Sequence, residues 1–220
     1  MKRAEKTNGA LVMLLIMLFT FSPDTRALSN VQNDEPEKNY RGMISILPLY
    51  MTVNGLRLDL DYSLNRNHWI QAAPVFFLGD NSNDKTFLSH NDFLQQRGGG
   101  LHLYHRYYPG DGFGYNNVYV SYGAMWHYNN LTYNETLSGR SFERYTAINK
   151  VGADLIMGLY FLAADWICMD FYTGMGIRYS SFQSDAVKTK KFNSSHMEPG
   201  FSGTIFIIGM RIGFTFAPAK

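Results

Sequence analysis

Between residues 43 and 216 apolar and polar side chains alternate with a period of two, segment after segment. The clearest run is Leu56-Arg57-Leu58-Asp59-Leu60-Asp61-Tyr62-Ser63-Leu64, where every even position is apolar or aromatic and every odd one is polar. A helix would scatter these residues around its circumference, whereas a strand places them on opposite faces. The pattern predicts eight strands, at roughly 43–53, 56–64, 68–78, 99–109, 117–128, 148–162, 166–179 and 201–216. Glycine recurs in the later ones (Gly152, Gly158, Gly174, Gly176, Gly203, Gly209, Gly213), which suits bending and close packing in a barrel wall. Pro74 lies inside the third and predicts a bulge or a distorted stretch there.

The connections carry a second pattern. Asn54-Gly55 is a two-residue hairpin signal, and Asn65-Arg66-Asn67 reads as a tight turn. Pro109 to Asn116 is short and rich in Gly, and Ala163 to Asp165 is minimal. The connections at about 79–98, 129–147 and 180–200 are long and polar. After the first hairpin, short and long connections alternate, as in outer-membrane barrels with short periplasmic turns and long external loops.

The parity of the strands separates two faces. One holds Arg57, Asp59, Asp61, His102, Arg106, Lys150, Asp154, Asp170, Arg178 and Arg211, with basic and acidic groups almost in balance. The other holds Leu56, Leu58, Leu60, Val118, Val120, Leu155, Met157, Leu159, Phe206, Ile208, Ile212 and Phe214. In a closed eight-stranded barrel the polar set becomes a charge network filling the lumen, because that interior is only wide enough for side chains. The apolar set then faces lipid. Aromatic residues at strand ends (Tyr62, Trp69, Tyr107, Tyr128, Trp166, Tyr179, Phe216) fit two girdles at the membrane boundaries. The alternative is a secreted soluble β-sandwich with an aromatic core.

Composition narrows the class. Of 220 residues, 15 are Tyr, 16 Phe and 3 Trp, while charged residues make up only 17% and the net charge is +2. No basic face is available for phosphates, so a nucleic-acid partner is not expected. The single cysteine, Cys168, excludes an internal disulfide framework. Residues 1–27 read as a signal peptide: Lys2, Arg3 and Lys6, an apolar run from Ala10 to Phe21, and Thr25-Arg26-Ala27 before the cut. A flexible periplasmic leader follows at 28–41, then the barrel at 42–216 and a tail at 217–220.

The run Gly99-Gly100-Leu101-His102-Leu103-Tyr104-His105-Arg106-Tyr107-Tyr108-Pro109, with Val118-Tyr119-Val120-Ser121-Tyr122-Gly123, resembles the small eight-stranded outer-membrane barrels of the OmpA-transmembrane and OmpX type, especially those of Bacteroides-like bacteria. The closing strand, Gly209-Met210-Arg211-Ile212-Gly213-Phe214-Thr215-Phe216, resembles the aromatic-ending signal that such barrels present to the barrel assembly machinery. One departure is the extension past that aromatic, Ala217-Pro218-Ala219-Lys220. The resemblance implies an outer-membrane location, lipid around the wall and loops that meet an external ligand or host surface.

Candidate chemistry is sparse. His102 and His105 have opposite parity and face opposite sides, so they cannot share a metal. His68, His90, His127 and His196 have nothing nearby that completes a ligand set. His102 with Arg106 and Asp154 is an acid/base candidate, with structural ion pairs as the blander reading. Ser121 and His127 lie about 20 Å apart along one strand, too far for a hydrolase pair. Asp80-Asn81-Ser82-Asn83-Asp84 starts like a calcium loop but lacks its glycine and terminal glutamate. No cofactor and no catalytic residue is assigned. The expected function is a non-enzymatic outer-membrane barrel for envelope structure or surface interaction. A barrel-type lipid-modifying enzyme, acyltransferase or phospholipase, is the alternative.

Overall fold

The computed structural model describes residues 40–80, 93–109, 117–164, 166–186 and 189–216. The expected signal peptide, nearly all of the leader, the tail, the calcium-like loop beyond Asp80 and His90 lie outside these residues. Eight antiparallel strands close into one barrel in chain order: β1 (Gly42–Ile46), β2 (Gly55–Ser63), β3 (His68–Asp80), β4 (Gln95–Tyr107), β5 (Asn117–Leu137), β6 (Arg140–Leu162), β7 (Ile167–Ser184) and β8 (Gly203–Phe216). The sandwich alternative is thereby overturned. Among the described residues no helix is long and apolar enough to cross a membrane, which says nothing of strands.

The pairings fix the tilt. From Thr215 the partners run through Met43, Asp61, Gln71, Tyr104, Gly123, Asp154 and Gly176 and return to β8 at Ile205, ten residues from the start. A stagger of that size over eight strands tilts them about 40° from the barrel axis. The first and last strand residues, Gly42 and Phe216, and the short β2–β3 and β6–β7 connections share one rim, the turn end. The connections 47–54, 138–139 and 185–202 share the other, the loop end.

Several elements depart from the sequence pattern. The strand expected at 43–53 stops at Ile46, and Pro48 opens a 3-10 helix, Pro48–Val53. Proline there has no N–H to continue the ladder, and it suits a helical first position. Asn54 is therefore the left-handed cap of that helix (φ 57°), not part of a hairpin turn. Of the two expectations for Pro74 the distorted stretch is found and the bulge is not: the β2–β3 register is constant from Gly55↔Phe77 to Ser63↔Trp69, and the ladder lapses beside Pro74. The long loop expected at 129–147 is strand almost throughout, turning at Ser138 (φ 52°) and Gly139 (φ 79°). Positive φ at both central residues matches the twist of a two-residue hairpin. The turn at Asn65 is as expected, its Oδ1 accepting from the amides of Asn67 and His68.

The barrel is inverted relative to a soluble β-protein. Leu155, Met175, Ile177, Phe206 and Ile208 are 58–70% exposed on the outside. Arg57, Asp59, Asp61, Arg106, Asp170 and Arg211 are buried inside. Toward the turn end the interior is aromatic, with Trp69, Tyr108, Tyr119 and Tyr160 packed beside Met43 and Cys168. Trp69 thus leaves the expected outer girdle: it is buried against Tyr108 because its neighbours His68 and Ile70 take the outward parity. Above the loop end, Leu131, Tyr133 and Ile148 of the raised β5–β6 hairpin form a second cluster with Phe93, before β4, and Phe192, from the β7–β8 connection.

Three inward tyrosines lie over glycines on the next strand: Tyr104 opposite Gly123, Tyr119 opposite Gly158 and Tyr172 opposite Gly209. A Cβ at any of these glycines would run into the tyrosine ring. The missing side chain is what lets each ring lie across the lumen.

Candidate functional site

The ten charged or histidine residues expected on one face all point inward, but they divide into two groups. The first is a neutral set of three arginines and three aspartates toward the turn end. Arg57 donates to Asp59 from Nη2 (2.6 Å) and Nε (3.1 Å). Arg211 bridges Asp59 (3.3 Å) and Asp170 (2.9 Å), and Arg106 bridges Asp170 (3.4 Å) and Asp61 (3.3 Å). Gln71 donates to Asp61, and Tyr119 donates to Asp170 at 2.8 Å while accepting from Arg211 at 2.7 Å. Buried ion pairs recover their desolvation cost only through such multiple contacts. This layer fills the lumen and fixes it.

The second group lies nearer the loop end and is centred on His102. Arg106 is not part of it, contrary to the expected His102–Arg106–Asp154 cluster. Arg106 and His102 are four residues apart on β4, two steps along the inward face, so Arg106 reaches the lower layer instead. The residue that joins His102 to Asp154 is Tyr104. Its hydroxyl donates to Asp154 Oδ2 at 2.5 Å and lies 2.8 Å from His102 Nδ1. Asp154 also accepts from Arg178 Nη1 at 2.5 Å.

These bonds fix the proton positions. Because Tyr104 spends its hydrogen on Asp154, it accepts from His102 Nδ1–H, which in the neutral imidazole leaves His102 Nε2 as an acceptor. Two donors converge on that lone pair: His127 Nε2 at 2.8 Å and the Tyr50 hydroxyl at 3.2 Å. The result is a directed chain from His127 through His102 and Tyr104 to Asp154. His127 shares the inward parity of Ser121 and Met125, but parity alone does not reveal that it meets His102. It sits on β5, opposite Gly100 rather than a side chain, and Gly100 has no Cβ to keep its ring from His102. Tyr50 is supplied by the 3-10 helix, which the alternation pattern also missed.

A cavity of about 160 Å³ opens above this chain at the loop end. His127, Asn129, Lys150 and Arg178 line it on the polar side, Tyr50 and Val53 on that of the 3-10 helix. Lys150 is buried, and its Nζ donates to the Glu198 carbonyl at 3.0 Å. No carboxylate lies at ion-pair distance from it among the described residues. The Glu198 carboxylate is turned away, accepting from the amides of Ser194 and Ser195.

Other histidines stand apart. His68 and His105 stack outside the barrel at 5.1 Å between ring centres, near Tyr107 and Tyr122. His196 lies against Phe201 in the loop. Ser121 is buried and bonds to no histidine among the described residues. Among these residues no three of His, Cys, Asp and Glu converge on a point that could hold a metal. Comparison of the chain with protein-family models, curated proteins and solved structures finds no match in any of the three, so the reading of the site rests on its own geometry.

Proposed function

We propose that the chain is an outer-membrane barrel of non-enzymatic character, its lumen filled by the ion-pair layer and its loop end presented to the exterior for envelope structure or surface interaction. One observation carries this reading: the barrel's outer wall is apolar all the way round while its charges are sealed inside. Soluble monomers rarely expose contiguous apolar patches beyond about 300–600 Å². Here every strand from β1 to β8 contributes exposed large apolar side chains. Along β8, Phe206 to Phe216 spans about 33 Å of strand, which a tilt of about 40° projects to about 25 Å, the height of an outer-membrane apolar band. Tyr62, Tyr107, Trp166 and Phe216 gather toward the turn end of that band, with Trp166 stacked on Phe214. In this reading the turn end is periplasmic, and β8 is the strand offered to the assembly machinery, as in the OmpA- and OmpX-type barrels the sequence resembles.

The test is gel mobility of protein refolded in detergent, boiled against unboiled. A shifted unboiled band with β-type circular dichroism is the expected result. A protein soluble and monomeric without detergent, with no shift, would overturn it.

A second reading, a lipid-modifying barrel enzyme, is favoured by the His127–His102–Tyr104–Asp154 chain, which has the polarity of an acid/base relay. Among the described residues no serine or threonine hydrogen-bonds to this chain, and the only cysteine, Cys168, is buried in the turn-end cluster. Alanine at His102 and His127 separates the two readings, since an enzyme would lose its product from membrane lipid and a structural barrel would leave lipid composition unchanged.

A further inference from the structure

The loop-end cavity has a charge imbalance that the lower layer does not. Two cations, Lys150 and Arg178, line it, and none of its lining residues is Asp or Glu. The two carboxylates nearby are already engaged: Asp154 by Arg178 Nη1 and Tyr104, and Glu198, which is not in ion-pair contact with Lys150, by the amides of Ser194 and Ser195. Lys150 has a backbone carbonyl as its acceptor, which leaves two ammonium hydrogens over. Asn129 accepts from Gln96 through Oδ1 at 2.8 Å, and its amide hydrogens have no acceptor among the described residues. Arg178 makes its hydrogen bonds through Nη1, which leaves its Nη2 hydrogens without an acceptor among the described residues. The surplus is thus one of donors and positive charge. A buried ammonium without a counter-charge is costly, and a bound anion removes that cost.

Much of the remaining lining is apolar (Val53, Phe77, Met125, Met197, Pro199 and Ile205), and the wall beside it is incomplete. β1 pairs with β8 only from Gly42↔Phe216 to Ile46↔Ile212, so β8 from Gly203 to Arg211 has no β1 partner. The 3-10 helix covers that edge instead. Val53 and Ile205 line the cavity from the two sides of this gap, and the outer face of the same gap is an apolar groove of about 530 Å³ between Pro48, Leu49, Ile208 and Met210. A donor-rich head pocket therefore lies on the inner side of this gap and an apolar groove on its outer side.

We propose that the cavity binds the anionic head of an amphiphile, a phosphate or carboxylate held by Lys150, Arg178 and Asn129, with its alkyl tail leaving through the seam between the 3-10 helix and β8. A volume of about 160 Å³ is ample for such a head, since one water needs on the order of 10–15 Å³. The head site stands on the cavity alone. The tail rests on the membrane reading of the outer wall.

The test is calorimetric titration of the chain, refolded in an uncharged glycoside detergent, with octyl phosphate, octanoate, inorganic phosphate and octanol. Saturable one-site binding of octyl phosphate or octanoate, at least tenfold tighter than inorganic phosphate and octanol, is expected, and the stronger of the two identifies the head. Lys150→Met should weaken it at least tenfold while melting no lower than the parent without probe, whereas a lysine of purely structural role would lower the melting point. Ile205→Trp, which fills the seam side, should weaken the alkyl probes and spare inorganic phosphate. Octanol binding as well as octyl phosphate, or Lys150→Met binding unchanged, would overturn the head site. Inorganic phosphate equal to octyl phosphate would overturn the tail exit. Each sample is also run boiled and unboiled: a mobility shift without binding sinks this site alone, and no shift sinks the membrane barrel.

Discussion

Asp170 carries more of the lower layer than any other single carboxylate, since Arg106, Arg211 and Tyr119 all converge on it. Asp170→Asn would leave two buried guanidinium groups sharing too little negative charge, and we expect a loss of about 3–5 kcal/mol in the urea unfolding free energy of the refolded barrel. Tyr104→Phe makes a smaller and different break. It severs His102 from Asp154 without removing a charge, so the expected cost is about 1 kcal/mol. The imidazole of His102 should then lose its fixed tautomer, which nitrogen chemical shifts would read directly. Gly158→Ala would push a methyl group into the Tyr119 ring, and overpacking of that kind costs about 1–3 kcal/mol.

At the scale of elements, the inward set from Arg57 to Arg211 was legible in the sequence because a period of two admits only two faces. What was not legible follows from where that rule weakens. In Asn129–Leu137 the outward parity (Asn130, Thr132, Asn134, Thr136) is wholly polar, since this part of the hairpin stands above the apolar wall and has no lipid-facing side to declare it. Only Leu131 and Tyr133 mark its inner face. In residues 43–53 the alternation blurs into a nearly continuous apolar run, and Pro48 is the one residue that announces the helix supplying Tyr50. The raised hairpin should be separable from the barrel. Gly139→Val places a branched side chain at φ 79°, where the strain is about 1 kcal/mol or more. Faster hydrogen exchange confined to residues above Leu131 is expected, with the unfolding midpoint of the barrel unchanged.

At the scale of the whole molecule, the outer wall decides between lipid and water. Leu155 is 58% exposed on β6. Leu155→Arg near the middle of a lipid-facing band should cost about 2–4 kcal/mol of folding into vesicles, against no more than about 0.5 kcal/mol for an ordinary surface position in water. With the lumen closed by the Arg57–Asp59–Arg211–Asp170–Arg106–Asp61 layer, planar-bilayer recording should show no large steady conductance. Removing Asp170 is the change most able to create one.

The five-rung seam between β1 and β8 also has a meaning in time. Every other strand pair joins sequence neighbours and can zip as soon as both strands exist. The seam alone must wait for Gly42 to meet Phe216, the pair most distant along the chain. The barrel therefore passes through an open sheet with unequal edges, a five-residue one at β1 and a fourteen-residue one at β8. The long edge is the one left offering hydrogen bonds until closure. Amides of β1 should be the last to gain protection during refolding and the first to lose it, so the life story of this barrel is written at its shortest strand.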